Sequence, residues 1–235
     1  NLNTFFTEGQ GYLTILDVNG NKLSGINLEQ TMAHAYRVKK SGSNFMVSGL
    51  TEGANDYALL KIDASGNIIW NKTFGGSNLD HCFAMDLSTE GDIFLSGHTL
   101  TGTENWDAYT MKIDADGNQL WESKTGNPRG FDPKYIHDEV WGTKATSDGG
   151  CIIVAGTGDE YSAYKRRCGN DGDDSNTWHV YLVKYDGNGN IQWQKTYGDA
   201  EGGDWAGEDI DLTADGGAIV AVDNGSFGFL KISPF

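Results

Sequence analysis

Five histidines, 33 acidic side chains and seven tryptophans supply most of the chemistry this chain could offer. His34, His81 and Glu139 fall at or next to comparable places at the starts of successive apolar runs, and Tyr36 stands two residues from His34, on the same face of its strand. A His beside a Tyr or a carboxylate can move a proton to and from a reacting group, as polysaccharide lyases and glycoside hydrolases require. His137, Asp138, Asp204, Glu208 and Asp209 lie nearby in the same scheme. A second kind of chemistry is held by Asp171, Asp173 and Asp174, three carboxylates within four residues. Such hard oxygen ligands repel one another unless a hard cation compensates them; a solvated acidic loop tip is the preferred reading, and Ca2+ is the candidate cofactor in the alternative. A third lies in the aromatic side chains Trp178, Tyr161, Tyr164 and Phe131, set among polar residues. Rings so placed stack on the apolar faces of sugars. No G-x-S-x-G, H-E-x-x-H or phosphate-loop motif is present, and the expectation leans away from an enzyme.

Elements that could carry these residues are set by a repeat. Tyr57–Trp70 reads YALLKIDASGNIIW, and it recurs as YTMKIDADGNQLW from Tyr109 and YLVKYDGNGNIQW from Tyr181. A weaker copy opens at Tyr12 and a clipped one closes the chain at Phe235. Each is an alternating apolar run, an Asp-x-x-Gly-Asn corner and a second short run, the signature of a β-hairpin. At the corner, the Asp carboxylate is expected to accept backbone N–H groups while the Gly takes positive φ. Asp63, Asp114 and Asp186 also echo the start of a calcium loop. No Glu follows at its twelfth position and strands flank the turn, so the structural reading is preferred.

Spacing sets the architecture. Lys61, Lys112, Lys184 and Lys231 are equivalent and stand 51, 72 and 47 residues apart. Periods of this length with four strands each predict propeller blades. The strands expected in the longest period are Val140–Thr146, Cys151–Gly156, His179–Asp186 and Ile191–Tyr197. Those before it are His81–Ser88, Asp92–His98, Asp107–Asp114 and Gln119–Lys124. The last period is expected to hold three strands and to lack its outermost. The prediction is a single all-β domain over residues 1–235, a β-propeller of four-stranded antiparallel blades, five in number with four as the alternative.

The pattern D-x-x-x-x-K-[IY]-D-x-x-G-N-x-x-W is followed by a Gly-rich link and [ST]-x-D-G-G. The second half is carried by Thr146-Ser-Asp-Gly-Gly150 and Thr213-Ala-Asp-Gly-Gly217, with Ser88-Thr-Glu-Gly-Asp92 as a variant. These residues resemble the blade repeat of secreted bacterial and archaeal β-propeller proteins over nearly the whole chain. The resemblance implies a domain for binding, adhesion or, occasionally, polysaccharide cleavage, and it specifies fold far better than activity.

Two insertions break the repeat, residues 126–137 and 158–178, and both are expected to overhang one face close together. Binding concentrates at such departures. Trp70, Trp121 and Trp193 share one repeat slot and are expected to pack between blades. A net charge of −16 excludes nucleic acid and anionic lipid as partners. No run approaches the length needed to span a bilayer, and the opening Asn1-Leu-Asn is not signal-like. Of three cysteines, Cys82 and Cys151 sit in apolar strands and Cys168 in a polar insertion, which excludes full intramolecular pairing. The expected function is extracellular recognition of a carbohydrate or protein through the insertion-bearing face. The alternatives are a polysaccharide lyase or glycoside hydrolase, and a structural subunit that exchanges strands at its termini.

Overall fold

The computed structural model describes residues 10–54, 56–101, 105–126, 137–158, 178–198, 205–223 and 225–235. Among them, apart from one turn of 3-10 helix at Glu52–Ala54, every element is a β-strand. The chain forms two compact units, residues 1–85 and 86–235.

In the first unit, β1 (Tyr12–Leu16) and β2 (Lys22–Asn27) form a hairpin. β3 (His34–Ser41), β4 (Asn44–Leu50), β5 (Tyr57–Ile62) and β6 (Ile68–Phe74) form a four-stranded antiparallel sheet in chain order. Leu28, Met32, Val47, Ala58, Leu60 and Ile62 are its buried core, and Leu13 and Ile26 of the hairpin pack against them.

β7 (Asp80–Leu87), within which the boundary between the units falls, heads a sheet with β8 (Ile93–Thr101), β9 (Asn105–Ile113) and β10 (Gln119–Thr125). The second unit continues with β11 (His137–Ala145), β12 (Cys151–Gly158), β13 (His179–Tyr185) and β14 (Ile191–Tyr197), again antiparallel in chain order. β15 (Ala206–Leu212), β16 (Ala218–Asp223) and β17 (Phe227–Ile232) form the three-stranded sheet expected of the last period. β14 and β16 have the expected bounds, whereas β11 begins at His137 rather than Val140 and so takes His137, Asp138 and Glu139 into the strand.

The β11–β14 sheet is covered on both faces, which explains why its strands read as continuous apolar runs. Cys151, Ile153, Ala155, Tyr181, Val183 and Tyr185 pack with Phe94 and Ala108 of the preceding sheet. Their alternates Ile152, Val154, Val180 and Leu182 pack with Ile210, Ala218, Val220 and Val222 of the following one. Trp121 sits in the first of these interfaces as expected: its indole N–H donates to Gly187 O at 3.1 Å, and its ring lies 5.8 Å from that of Tyr185. Trp193 packs into the second and meets Phe235 edge-on.

Repeat residues with charge are spent on turns. At each Asp-x-x-Gly-Asn corner one carboxylate oxygen accepts two backbone N–H groups, for example from Ser65 and Asn67 onto Asp63 at 2.8 Å each. The Asn amide then donates to the second oxygen, and Gly66 sits at φ 89°. Asp17, Asp114 and Asp186 repeat this arrangement. The carboxylates of Asp17, Asp63 and Asp186 are held below their usual range first by the Asn side chain. The repeated lysine, on the third strand of its sheet, clips the turn between the first two: Lys184 donates to Asp148 at 2.8 Å and Lys231 pairs with Asp215 at 2.9 Å.

Candidate functional site

A β-bulge interrupts three of the innermost strands at the same place. The partners of β11 and β12 step from Val140↔Ala155 to Gly142↔Val154, so the register passes over Trp141. In β15 the step from Gly207↔Val222 to Asp209↔Ala221 isolates Glu208, and in β3 the step past Ala35↔Gly49 isolates Tyr36. A bulge re-aims the side chain it carries and gathers near functional sites. The corresponding position of β7, two residues after His81, is Phe83. Three aromatic rings and one carboxylate therefore share this slot.

In the second unit, a hollow of about 290 Å³ is lined by Glu139, Trp141, Gly156, Trp178, Ala206, Glu208, Asp223 and Gly225. An adjoining one of about 460 Å³ shares Glu208, Asp223 and Gly225 and extends to Ser226 and Phe227. Together they make a groove with tryptophans at one end, carboxylates in the middle and Phe227 at the other end. The Trp178 ring lies over Gly156, so close that a Cβ there would come within 2.9 Å of it. Its carbonyl accepts the Trp205 N–H at 2.9 Å, which ties the start of β13 to that of β15. Trp178 is buried, a wall rather than an open platform, whereas Phe227 is 76% exposed. Trp141 is braced from behind by His98, whose ring is 6.0 Å away and perpendicular in the T-shaped manner.

Among the described residues the groove is one-signed: three carboxylates line it, and no lysine or arginine does. The Glu208 carboxyl is raised above its ordinary value, first by burial and then by the charge of Asp223. His137 Nδ1 lies 3.7 Å from Glu139 Oε1, but burial pushes His137 down to about 4. The imidazole is therefore neutral at pH 7 and leaves the Glu139 charge in place.

Residues at the stems of both insertions, Glu139, Gly156 and Trp178, line this groove. His137, the last residue of the first, pairs with Gly158, the first of the second, and Thr157 pairs with His179 just past the second. Their stems thus share one end of the β11–β14 sheet. Phe131, Tyr161 and Tyr164, the acidic cluster Asp171, Asp173 and Asp174, and Cys168 lie outside the described residues.

The other candidates gather in the first unit, where His34 stacks on Tyr36 at 5.9 Å and Tyr36 meets Phe83 edge-on at 4.9 Å. Phe83 in turn meets His81 at 5.9 Å. Burial, with His34 nearby, pushes His81 down to about 4, and burial raises the Tyr36 phenol. Neither shift favours proton transfer at neutral pH: such a His is a weak base and such a Tyr a weak acid. Glu139 belongs to the second unit and its groove. Cys82 and Cys151 are buried free thiols, pushed up to about 12 by burial, and behave as small hydrophobes. Among the described residues no three His, Cys, Asp or Glu side chains are placed to hold a metal ion.

Trp141 and Asp223 were not singled out as ligand residues by the sequence. Aligning the innermost strands so that Tyr36, Phe83, Trp141 and Glu208 coincide is the signal that points to the slot; Asp223 carries no such mark.

No protein-family model matches the chain, and no curated protein matches it. Solved structures do. A hydrazine synthase of Kuenenia stuttgartiensis superposes with a TM-score of 0.61 at 11% identity, over 90% of this chain and 58% of that one. The quinohemoprotein alcohol dehydrogenase ADHIIG of Pseudomonas putida HK5 gives 0.55 at 15% identity, over 96% of this chain and 38% of that one. This chain thus spans less than two thirds of either. The class this defines is the β-propeller, built of four-stranded antiparallel sheets. At such identities the likeness concerns fold alone, and chemistry has to be argued from the site.

Proposed function

We propose that this protein is an extracellular binding module that takes a carbohydrate in the groove between Trp141, Trp178 and Phe227. The observation that carries the reading is the lining itself. Aromatic side chains at both ends flank Glu139, Glu208 and Asp223, in hollows near the size range of small-molecule sites. Ring faces bury the C–H surface of a sugar, and carboxylates accept bonds from its hydroxyls. The stems of both insertions stand at the same place, where a larger ligand would be gripped. A net charge of −16 suits a neutral or basic glycan over a polyanion.

Glycan-array binding tests this. Trp141→Ala is expected to abolish it with the circular dichroism spectrum unchanged. Trp178→Phe serves as the milder change, since truncating a buried ring invites a packing defect. A blank array for the folded wild-type chain overturns the reading.

One observation favours cleavage as a second reading: Glu208 is a carboxyl with raised proton affinity beside a second carboxylate, as a general acid in glycoside hydrolysis requires. Release of reducing ends from a bound oligosaccharide, lost in Glu208→Gln, would establish it.

A further inference from the structure

We infer that the groove selects a sugar that carries a positive charge, an aminated saccharide with a free ammonium group rather than its neutral or N-acylated form. The inference rests on the carbohydrate reading above and adds the charge of the ligand. Glu139, Glu208 and Asp223 come from three different strands, β11, β15 and β16, so the fold and not a local acidic run concentrates them. The lysines on neighbouring strands are engaged elsewhere: Lys144 pairs with Asp211 at 3.0 Å and Lys231 with Asp215.

Glu208 is the informative residue. Its slot on the innermost strand holds an aromatic ring in the other three periods, at Tyr36, Phe83 and Trp141. Here the bulge aims a carboxylate into the hollow beside Asp223. Burial first, and then the like charge of Asp223 beside it, hold the Glu208 proton affinity up, so two charges at one place cost energy when the groove is empty. An ammonium placed among them removes that repulsion and gains charge-assisted hydrogen bonds. The half-buried ring of Trp141 suits the same ligand twice, stacking on the sugar ring and attracting its cation through the π quadrupole, with Trp178 as an apolar wall beside it. Trp141 and the carboxylates thus act together, the ring selecting the sugar and the acids its charge.

The test is titration calorimetry at pH 6 with two probes, a glucosamine tetrasaccharide and its fully N-acetylated counterpart. A charged hydrogen bond of roughly 1.5–3 kcal/mol corresponds to a preference of about tenfold or more for the amine. That preference should shrink in Glu208→Gln and in Asp223→Asn, and as salt is raised. Equal binding of both probes leaves the carbohydrate reading standing and overturns the inference about charge. Binding of neither, with other sugars of an array retained, does the same. Binding of no sugar at all overturns both. A preference that survives both substitutions assigns the selectivity elsewhere and overturns the proposed site.

Discussion

Trp141 and Glu208 occupy the same slot on two neighbouring innermost strands, each the residue left over by a β-bulge, and both line one hollow. In the first unit the equivalent residues Tyr36 and Phe83 meet ring against ring instead. The exchange of a ring for a carboxylate at one position is what turns a packing slot into a polar groove.

The first consequence concerns Glu208 itself. Its proton affinity is higher in the folded state than in an ordinary glutamate, so folding favours the protonated form. The stability this represents is complete below about pH 4 and is lost as pH rises through the raised native value. Glu208→Gln should therefore raise stability at pH 7 and leave it unchanged near pH 4. The gain should not exceed about 1 kcal/mol, because the side chain keeps contact with solvent. Urea denaturation at the two pH values measures it.

His81 and His137 act in the opposite sense. Both are pushed from 6.5 down to about 4, so the folded state holds them neutral. Their contribution is present above the ordinary histidine value and is lost as pH falls from about 6.5 toward 4, each worth roughly 3 kcal/mol. Denaturant midpoints recorded across that window should fall steeply, and His137→Gln should flatten the slope for the second unit.

The lysine clips differ in burial, and their energies should differ accordingly. Lys184 is 3% exposed and donates to both Asp148 and the Tyr185 carbonyl. Asp148→Ala strands a buried ammonium and should cost about 3 kcal/mol. Lys231 and Asp215 are half exposed, so Asp215→Ala should cost much less. Comparing the two variants by thermal melting separates them, and equal losses would contradict the burial argument.

Gly156 is the floor beneath Trp178. A methyl group there meets the indole at 2.9 Å and the Ala206 methyl at 3.4 Å. Gly156→Ala should displace the ring, altering tryptophan fluorescence and weakening any ligand held in the groove. A loss of about 1–3 kcal/mol of stability is expected from overpacking. Unchanged fluorescence would place Trp178 elsewhere.

The fold was largely legible because its signals are local. The Asp-x-x-Gly-Asn corner needs a side-chain acceptor and a positive φ within five residues, and Asp63 through Asn67 supply both wherever the rest of the chain goes. Strand bounds followed from alternation, and Trp121 was readable as packing because its slot recurs at Trp70 and Trp193. The site was legible only in part. Trp178 and Glu139 stood out beside the insertions, whereas Trp141 and Asp223 did not. His34, Tyr36 and His81 do meet, but in surroundings that hold the imidazole of His81 neutral.

Sequence alone determined the repeated hairpins and their turns, since each depends on residues close in the chain. Only the tertiary structure decided that Trp141, Trp178, Glu208 and Asp223 share a groove. A bulge is a mismatch between two strands, invisible in either one alone. The potential of a carboxylate cluster depends on which strands stand side by side, a matter that spacing along one chain does not express.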